Sequence, residues 1–386
     1  MPAPVLVALS YLVGLGIVYP FLPFQALSLG ATPLQVSLLL VTDTTVILLL
    51  APVLGRLSDQ FGRRRVIFLA LATTPLAYLL LAYADSLLVL FAARACAGVS
   101  NAAIPVIQAL VADGTSDKGR VHGMAHVNSA YGLAFIIGPL IGTVLLGTQG
   151  DDYRSAAFGA AGFALLAILL TATLSRGSRR PSIQPLRFVV LPPRSILAAP
   201  LCLAPIAIMA VLSFAYASMD STLGLWSSRV LSWGARDVSL AFTLAGLAAV
   251  FSLWVLIPML CGRYGEVRVT AGASMAMGLG MALFVIWPSH GVIAVALMLL
   301  GAGIAMCLSC LQALLSKAAP ATLQGAVMGF NHAVLSLARI LGPVWGGFAL
   351  GNLGVGWPYL AASLLSFAAL GMVIWAYRPL PRAVEG

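Results

Sequence analysis

The sequence predicts an all-α polytopic membrane protein of twelve transmembrane helices in two six-helix halves, on its composition, its spacing of apolar runs and an internal repeat. Hydrophobic residues make up 61% of the 386 and charged residues 8%, whereas a soluble domain has about a quarter of its residues charged. Mean hydropathy is +1.03. At roughly 20 apolar residues per span plus short loops, this length holds about twelve helices. The repeat has a constant offset of 204 residues: Gln108-Ala109-Leu110 returns as Gln312-Ala313-Leu314, and Gly138-Pro139-x-x-Gly142 as Gly342-Pro343-x-x-Gly346.

Reading by apolar run and breaker, the first six spans fall at 5–27, 34–57, 66–84, 87–112, 120–147 and 155–175. The second six fall at 197–227, 237–261, 268–287, 291–316, 323–350 and 356–377. The longest polar stretch lies between the two sets, and its four prolines, Pro181, Pro185, Pro192 and Pro193, exclude a continuous helix. The chain therefore divides into an N-terminal half (1–175), a cytoplasmic linker (176–196) and a C-terminal half (197–386). The first apolar segment lacks a basic n-region and runs past the length of an h-region, which argues against a cleavable signal peptide.

The basic residues orient the spans. The stretch from Gly55 to Arg65, eleven polar and Gly-rich residues between two apolar runs, carries Arg56, Arg63, Arg64 and Arg65 against Asp59. It reads as a short loop, and short loops rich in Lys and Arg stay in the cytoplasm. With both termini on that same side, Arg154, Arg229 and Arg236 are the basic residues left on the outer side, and Arg94 and Arg339 fall within spans. The expected location is the inner (plasma) membrane, multi-pass, as a monomer in the lipid bilayer. The net charge of +10 follows from these loop clusters. It does not imply nucleic acid, because the arginines do not line one amphipathic or aromatic-interleaved face.

The pattern Gly55-x-x-x-Asp59-x-x-Gly62-Arg63-Arg64-Arg65 resembles the signature loop between the second and third helices of the major facilitator superfamily. Gly14-Leu-Gly16-Ile-Val-Tyr-Pro20 is similar to the first helix of that superfamily's twelve-span drug and proton antiporters, which include tetracycline exporters. Those proteins often carry an acid just before the Gly-x-Gly; this chain has Tyr11 and Leu12 there. The resemblance implies two six-helix repeats and a gating role for Gly55, Asp59, Gly62, Arg63 and Arg64. In that gate, Asp59 meets the positive N-terminal end of the eleventh helix near Leu323. It also implies that Gly138-Pro139-x-x-Gly142 is the motif of proton-coupled exporters. From the residues alone, Pro139 removes a backbone donor, while Gly138 and Gly142 leave a flat strip for another helix. Gly342, Pro343 and Gly346 do the same in the second half. Leu90 to Gly98 resembles the fourth-helix motif whose arginine, here Arg94, is linked to proton transfer.

Asp43 and Asp220 alone among eleven acidic residues sit inside spans. A carboxylate desolvated without a partner takes up a proton, which is what a proton-coupled carrier requires. Asp43 lies about nine residues from the outer end of its span and Arg339 about eleven from the outer end of the antiparallel eleventh, so their depths differ by about 3 Å. In the implied fold these two spans face each other across the halves. An Asp43–Arg339 bridge is therefore expected, with Arg94 on the fourth span as the competing partner. The first, fourth, seventh and tenth spans line the central path of that fold and offer Tyr11, Tyr19, Phe24, Asn101, Gln108, Phe214, Tyr216 and Gln312 beside Asp220. An apolar, aromatic wall with few polar anchors suits an amphiphilic organic molecule.

Enzyme chemistry has no foothold: the sequence holds no Walker segment between strand and helix, no metal-ligand cluster and no nucleophile–base pair, and no cofactor is expected. The function expected is secondary active transport, proton-coupled efflux of a small amphiphilic compound or drug. The alternative is an uptake carrier or facilitator for a small metabolite such as a sugar.

Overall fold

The computed structural model describes residues 3–113, 117–174, 200–319 and 324–377. The linker at 176–196 lies outside the described residues, as does Leu323. Every regular element among them is a helix. Among the described residues, ten stretches are long and apolar enough to cross a membrane. One of these, Ala235–Ile286, has 52 residues; as one helix it would be about 78 Å long, far beyond a hydrocarbon core of about 30 Å. It breaks at Gly265, whose φ of 79° no ordinary residue adopts readily. Taking its two arms separately gives eleven apolar stretches among the described residues, and the helix Asp117–Leu145 adds a shorter apolar part, Ser129–Leu145.

Proline punctuates the spans where a missing donor and a ring clash predict it. The first span is interrupted at Tyr19–Phe21, around Pro20, between helices Ala3–Val18 and Leu22–Ser28. The third breaks at Ala72, between Arg63–Leu71 and Thr73–Ala82, where Pro75 follows. The fourth ends its first helix at Asn101, four residues before Pro105, and resumes at Ile104. The second span, Pro33–Phe61, starts on a reciprocal cap. Gln35 N–H donates to Thr32 Oγ1 (3.3 Å), and Thr32 N–H donates to Gln35 Oε1 (2.8 Å).

The polar stretch 55–65 is not the loop the sequence suggests. The second span stays helical to Phe61, Gly62 alone reverses the chain at φ 97°, and a new helix begins at Arg63. Arg, Leu, Ser, Asp and Gln at 56–60 carry no strong helix breaker. Ser58 Oγ bonds back to the Gly55 carbonyl (2.5 Å), and the Arg63 Nη1 to Asp59 Oδ1 ion pair (2.7 Å) spans the break.

The packing glycines meet each other. A Cβ on Gly138 would lie 2.7 Å from Gly16 Cα and 2.8 Å from the Val13 carbonyl, and one on Gly142 would lie 3.2 Å from the Ile17 carbonyl. The first and fifth spans therefore cross backbone against backbone, as small residues allow in a membrane bundle. The repeat partner Gly342 does the same against the seventh span, 2.6 Å from the Phe214 carbonyl and 3.1 Å from Ser218 N. Pro139 and Pro343 both lie inside continuous helices, and Gly346 is buried.

By contact the chain forms two compact units. The first comprises Met1–Phe188, Ser221–Gly246 and Gly346–Val355; the second comprises Val189–Asp220, Leu247–Trp345 and Gly356–Gly386. Within the first unit, segments of the seventh, eighth and eleventh spans pack onto the N-terminal helices through further glycines. A Cβ on Gly224 would meet Pro23 at 3.1 Å, one on Gly246 the Phe135 carbonyl at 3.0 Å, and one on Gly347 the side chain of Ser37.

Candidate functional site: an ion pair buried among the spans

Arg94, Gly98 and Asn101 stand at i, i+4 and i+7 on the helix Leu87–Asn101, so they share one face. Gly98 brings that face onto the second span: a Cβ there would lie 2.9 Å from the Asp43 carbonyl and 3.0 Å from Asp43 Cα. On either side of this crossing the two polar residues reach the carboxylate. Arg94 Nη2 is 2.5 Å from Asp43 Oδ2, and Asn101 Nδ2 donates to the same oxygen at 3.4 Å. Asp43 Oδ1 accepts from the Thr44 N–H (2.8 Å).

The pair is nearly dry, with Arg94 1% and Asp43 7% exposed. The Arg94–Asp43 approach is a charge contact without hydrogen-bond alignment, and Arg94 Nε and Nη1 have no hydrogen-bond partner among the described residues. A guanidinium carries five N–H donors, so this one is held by charge and left under-satisfied, a costly arrangement in a low-dielectric interior. Tyr11 and Tyr78 lie within electrostatic reach of both Asp43 and Arg94. Tyr78 also lies against Gly14, where an added Cβ would be 3.5 Å from its hydroxyl.

Asp43 thus holds Arg94, the competing partner in the sequence reading, within the N-terminal half. Arg339 belongs to the second compact unit, on the face of the eleventh span that carries Gly342 three residues later. It lies within electrostatic reach of Tyr216, as does Asp220, one turn further along the seventh span. Tyr216 and Asp220 are half-buried and Arg339 is exposed. The second unit therefore has its own acid, base and phenol, joined by the Gly342 crossing.

The other expected wall residues are distributed differently. Tyr11 and Asn101 belong to the ion-pair cluster. Tyr19 packs edge-on against Phe242 with ring centroids 5.9 Å apart, and Phe24 lies against Gly224. Gln108 and Phe214 are half-buried, and Gln312 is exposed. Tyr78 went unnoticed in the sequence; no motif marks it, and only the fold brings the third span to Gly14. Gly98 was visible in the fourth-span motif, and its spacing from Arg94 was the available signal.

Around the chain reversal at Gly62, Arg63 holds three partners: Asp59 at 2.7 Å, Asp113 at 3.2 Å through Nε, and Ser58 Oγ at 2.6 Å. Asp59 is thereby committed to Arg63. Arg64 Nη1 donates to the Leu174 carbonyl (3.4 Å). Gly55 has open space around it. Among the described residues there is no cluster of metal-ligating side chains.

Apolar helical spans crossing on glycines around a buried ion pair define a polytopic membrane protein. The chain belongs to the Major Facilitator Superfamily, whose profile matches residues 5–343 and again 231–386. It is 27% identical over 365 residues to multidrug resistance protein 1 of Bacillus subtilis, covering 94% of this chain and 92% of that one. It is 29% identical over 371 residues to the class G tetracycline resistance protein of Vibrio anguillarum, covering 92% of each. Among solved structures it is similar to the human organic anion transporter MFSD10, with TM-score 0.66, 21% identity and coverage of 96% and 98%. It is also similar to the nucleoside transporter NupG, with TM-score 0.77, 12% identity and coverage of 98% and 100%. At these identities the structural likenesses bear on the fold alone. The chain is a transporter and not an enzyme.

Proposed function

We propose that this chain exports a small amphiphilic organic compound in exchange for protons by alternating access, from a plasma membrane in which both termini are cytoplasmic. The observation that carries the reading is the dry Asp43–Arg94 pair with its under-satisfied guanidinium. A proton delivered to Asp43 cancels the attraction that holds Arg94, and the freed guanidinium then needs another acceptor. Tyr11, Tyr78 and Asn101 stand around it. Because the pair sits on the Gly98 crossing, its rupture loosens the contact between the second and fourth spans. Asp220, beside Tyr216, is the second group assigned to proton or substrate, held by turns. The relatives named for multidrug and tetracycline resistance support a drug-like substrate.

Inverted membrane vesicles test this reading. An imposed inward-acid gradient should drive uptake of a lipophilic dye or drug, and substrate addition should collapse part of the gradient. Asp43→Asn and Asp220→Asn should each abolish gradient-driven uptake, with Asp220→Asn retaining substrate counterflow. Gradient-driven uptake at the normal rate in Asp220→Asn removes that residue from coupling. Transport of a sugar or nucleoside without proton movement would establish the facilitator alternative.

A further inference from the structure

Where the third span begins, two grooves flank Arg65. The larger, of about 980 Å³, is walled by Phe61, Phe68, Leu69 and Leu169 with Arg64 and Arg65 on its lining; the smaller, of about 470 Å³, shares Phe61, Arg65 and Leu69 and is otherwise apolar. Among the described residues, no carboxylate lines either groove. The walls are bare: Phe61 is 56%, Leu69 66% and Leu169 70% exposed. Arg65 is exposed, and among the described residues it has no ion-pair or hydrogen-bond partner. The helix Arg63–Leu71 opens here on Gly62, with no side-chain cap, so its first N–H groups and positive dipole end add to the field of the two guanidinium groups.

We infer that this is a binding site for an anionic phospholipid of the adjoining leaflet, with the phosphate on Arg64, Arg65 and the start of the third span and the acyl chains in the apolar grooves. Charge complementarity selects the headgroup, since two cations and a helix N-terminus meet no acid among the described lining residues. The bare aromatic and aliphatic walls select a lipid over a free anion. Basic pockets between transmembrane helices take anionic headgroups for these reasons. The site is independent of the transport reading and lies one residue from the Asp59–Arg63 pair, so lipid occupancy would bear on the chain reversal at Gly62.

Native mass spectrometry of the full-length protein with equal amounts of phosphatidylglycerol and phosphatidylcholine tests it. Retained adducts should be of phosphatidylglycerol. Arg64→Gln with Arg65→Gln should weaken them by about thirtyfold, whereas Arg263→Gln, on the corresponding turn of the second half, should leave them unchanged. Leu69→Trp keeps both charges and fills the groove, so it should also reduce the adduct; it serves as the test if the double variant fails to fold. Equal retention of the two lipids by the unaltered protein, or full retention of phosphatidylglycerol in the variants, would overturn the site. Displacement of the adduct by inorganic phosphate would overturn it as a lipid site.

Discussion

Arg94 and Asp43 meet across a glycine crossing in the N-terminal half, while the residues 204 positions later are Met298 and Leu247. Those two counterparts are 38% and 49% exposed, against 1% and 7% for the charged pair. Yet the crossing glycines themselves are repeated: Gly138 seats on Gly16, and Gly342 on Phe214 and Ser218. Close backbone approach is thus a demand of the architecture, met in both halves by the same motif. Charge is not such a demand. The second half carries its acid on the seventh span and its base on the eleventh, where Tyr216 senses both. The difference teaches that the repeat supplies a frame and that charge is laid on it asymmetrically.

The largest effect should come from unbalancing the buried pair. Asp43→Leu alone leaves Arg94 uncompensated and should cost about 3 to 5 kcal/mol, while Asp43→Leu with Arg94→Met, which copies the second half into the first, should be nearly neutral. Thermal unfolding in detergent reads both, and transport should be lost in both. If the double variant is as unstable as the single, the pair is needed for the frame and the comparison fails.

Next come the crossings. Gly138→Ala and Gly342→Ala each insert a methyl group 2.6 to 2.7 Å from backbone atoms, and each should destabilise by about 1 to 3 kcal/mol. Equal losses in the two halves would sharpen the claim that packing is the repeated element. Gly142→Ala, with 3.2 Å to its nearest atom, should cost less than either, which orders the three in one unfolding series.

The smallest effects belong to the chain reversals at Gly62 and Gly265. In the first half Asp59 pairs with a partly buried Arg63 that also holds Asp113 and Ser58; in the second, Glu266 pairs with Lys317, whose side chain is 66% exposed. Asp59→Asn should lower stability by about 0.5 kcal/mol and Glu266→Gln by less, as surface pairs do. Transport should separate them more clearly, with Asp59→Asn slowing flux at unchanged expression and Glu266→Gln leaving it near normal. Similar flux in the two variants would make the reversals functionally equivalent.

The sequence by itself determined where the apolar stretches fall and the crossing residues Gly138, Gly142 and Gly342. Hydrocarbon length is a one-dimensional constraint that hydropathy records directly. Proline acts on its own helix, and Pro20, Pro75 and Pro105 accompany the interruptions at 19–21, 72 and 102–103, although Pro139 and Pro343 lie inside continuous helices. Polar composition misled at 55–61, because Arg, Leu, Ser, Asp and Gln continue a helix as readily as they leave one, and Gly62 alone was required for the reversal.

Only the tertiary structure decided which cation Asp43 holds. Arg94 and Arg339 lie at comparable depth, and depth is what counting residues along a span measures. Partnership depends on rotation about the helix axis and on how closely two axes approach. Those are set by Gly98 against the Asp43 backbone, a contact between residues 55 positions apart. The same reason placed Tyr78 beside Gly14 and spent Tyr19 and Phe24 on packing: the position of a side chain around the bundle is fixed by its neighbours' shapes.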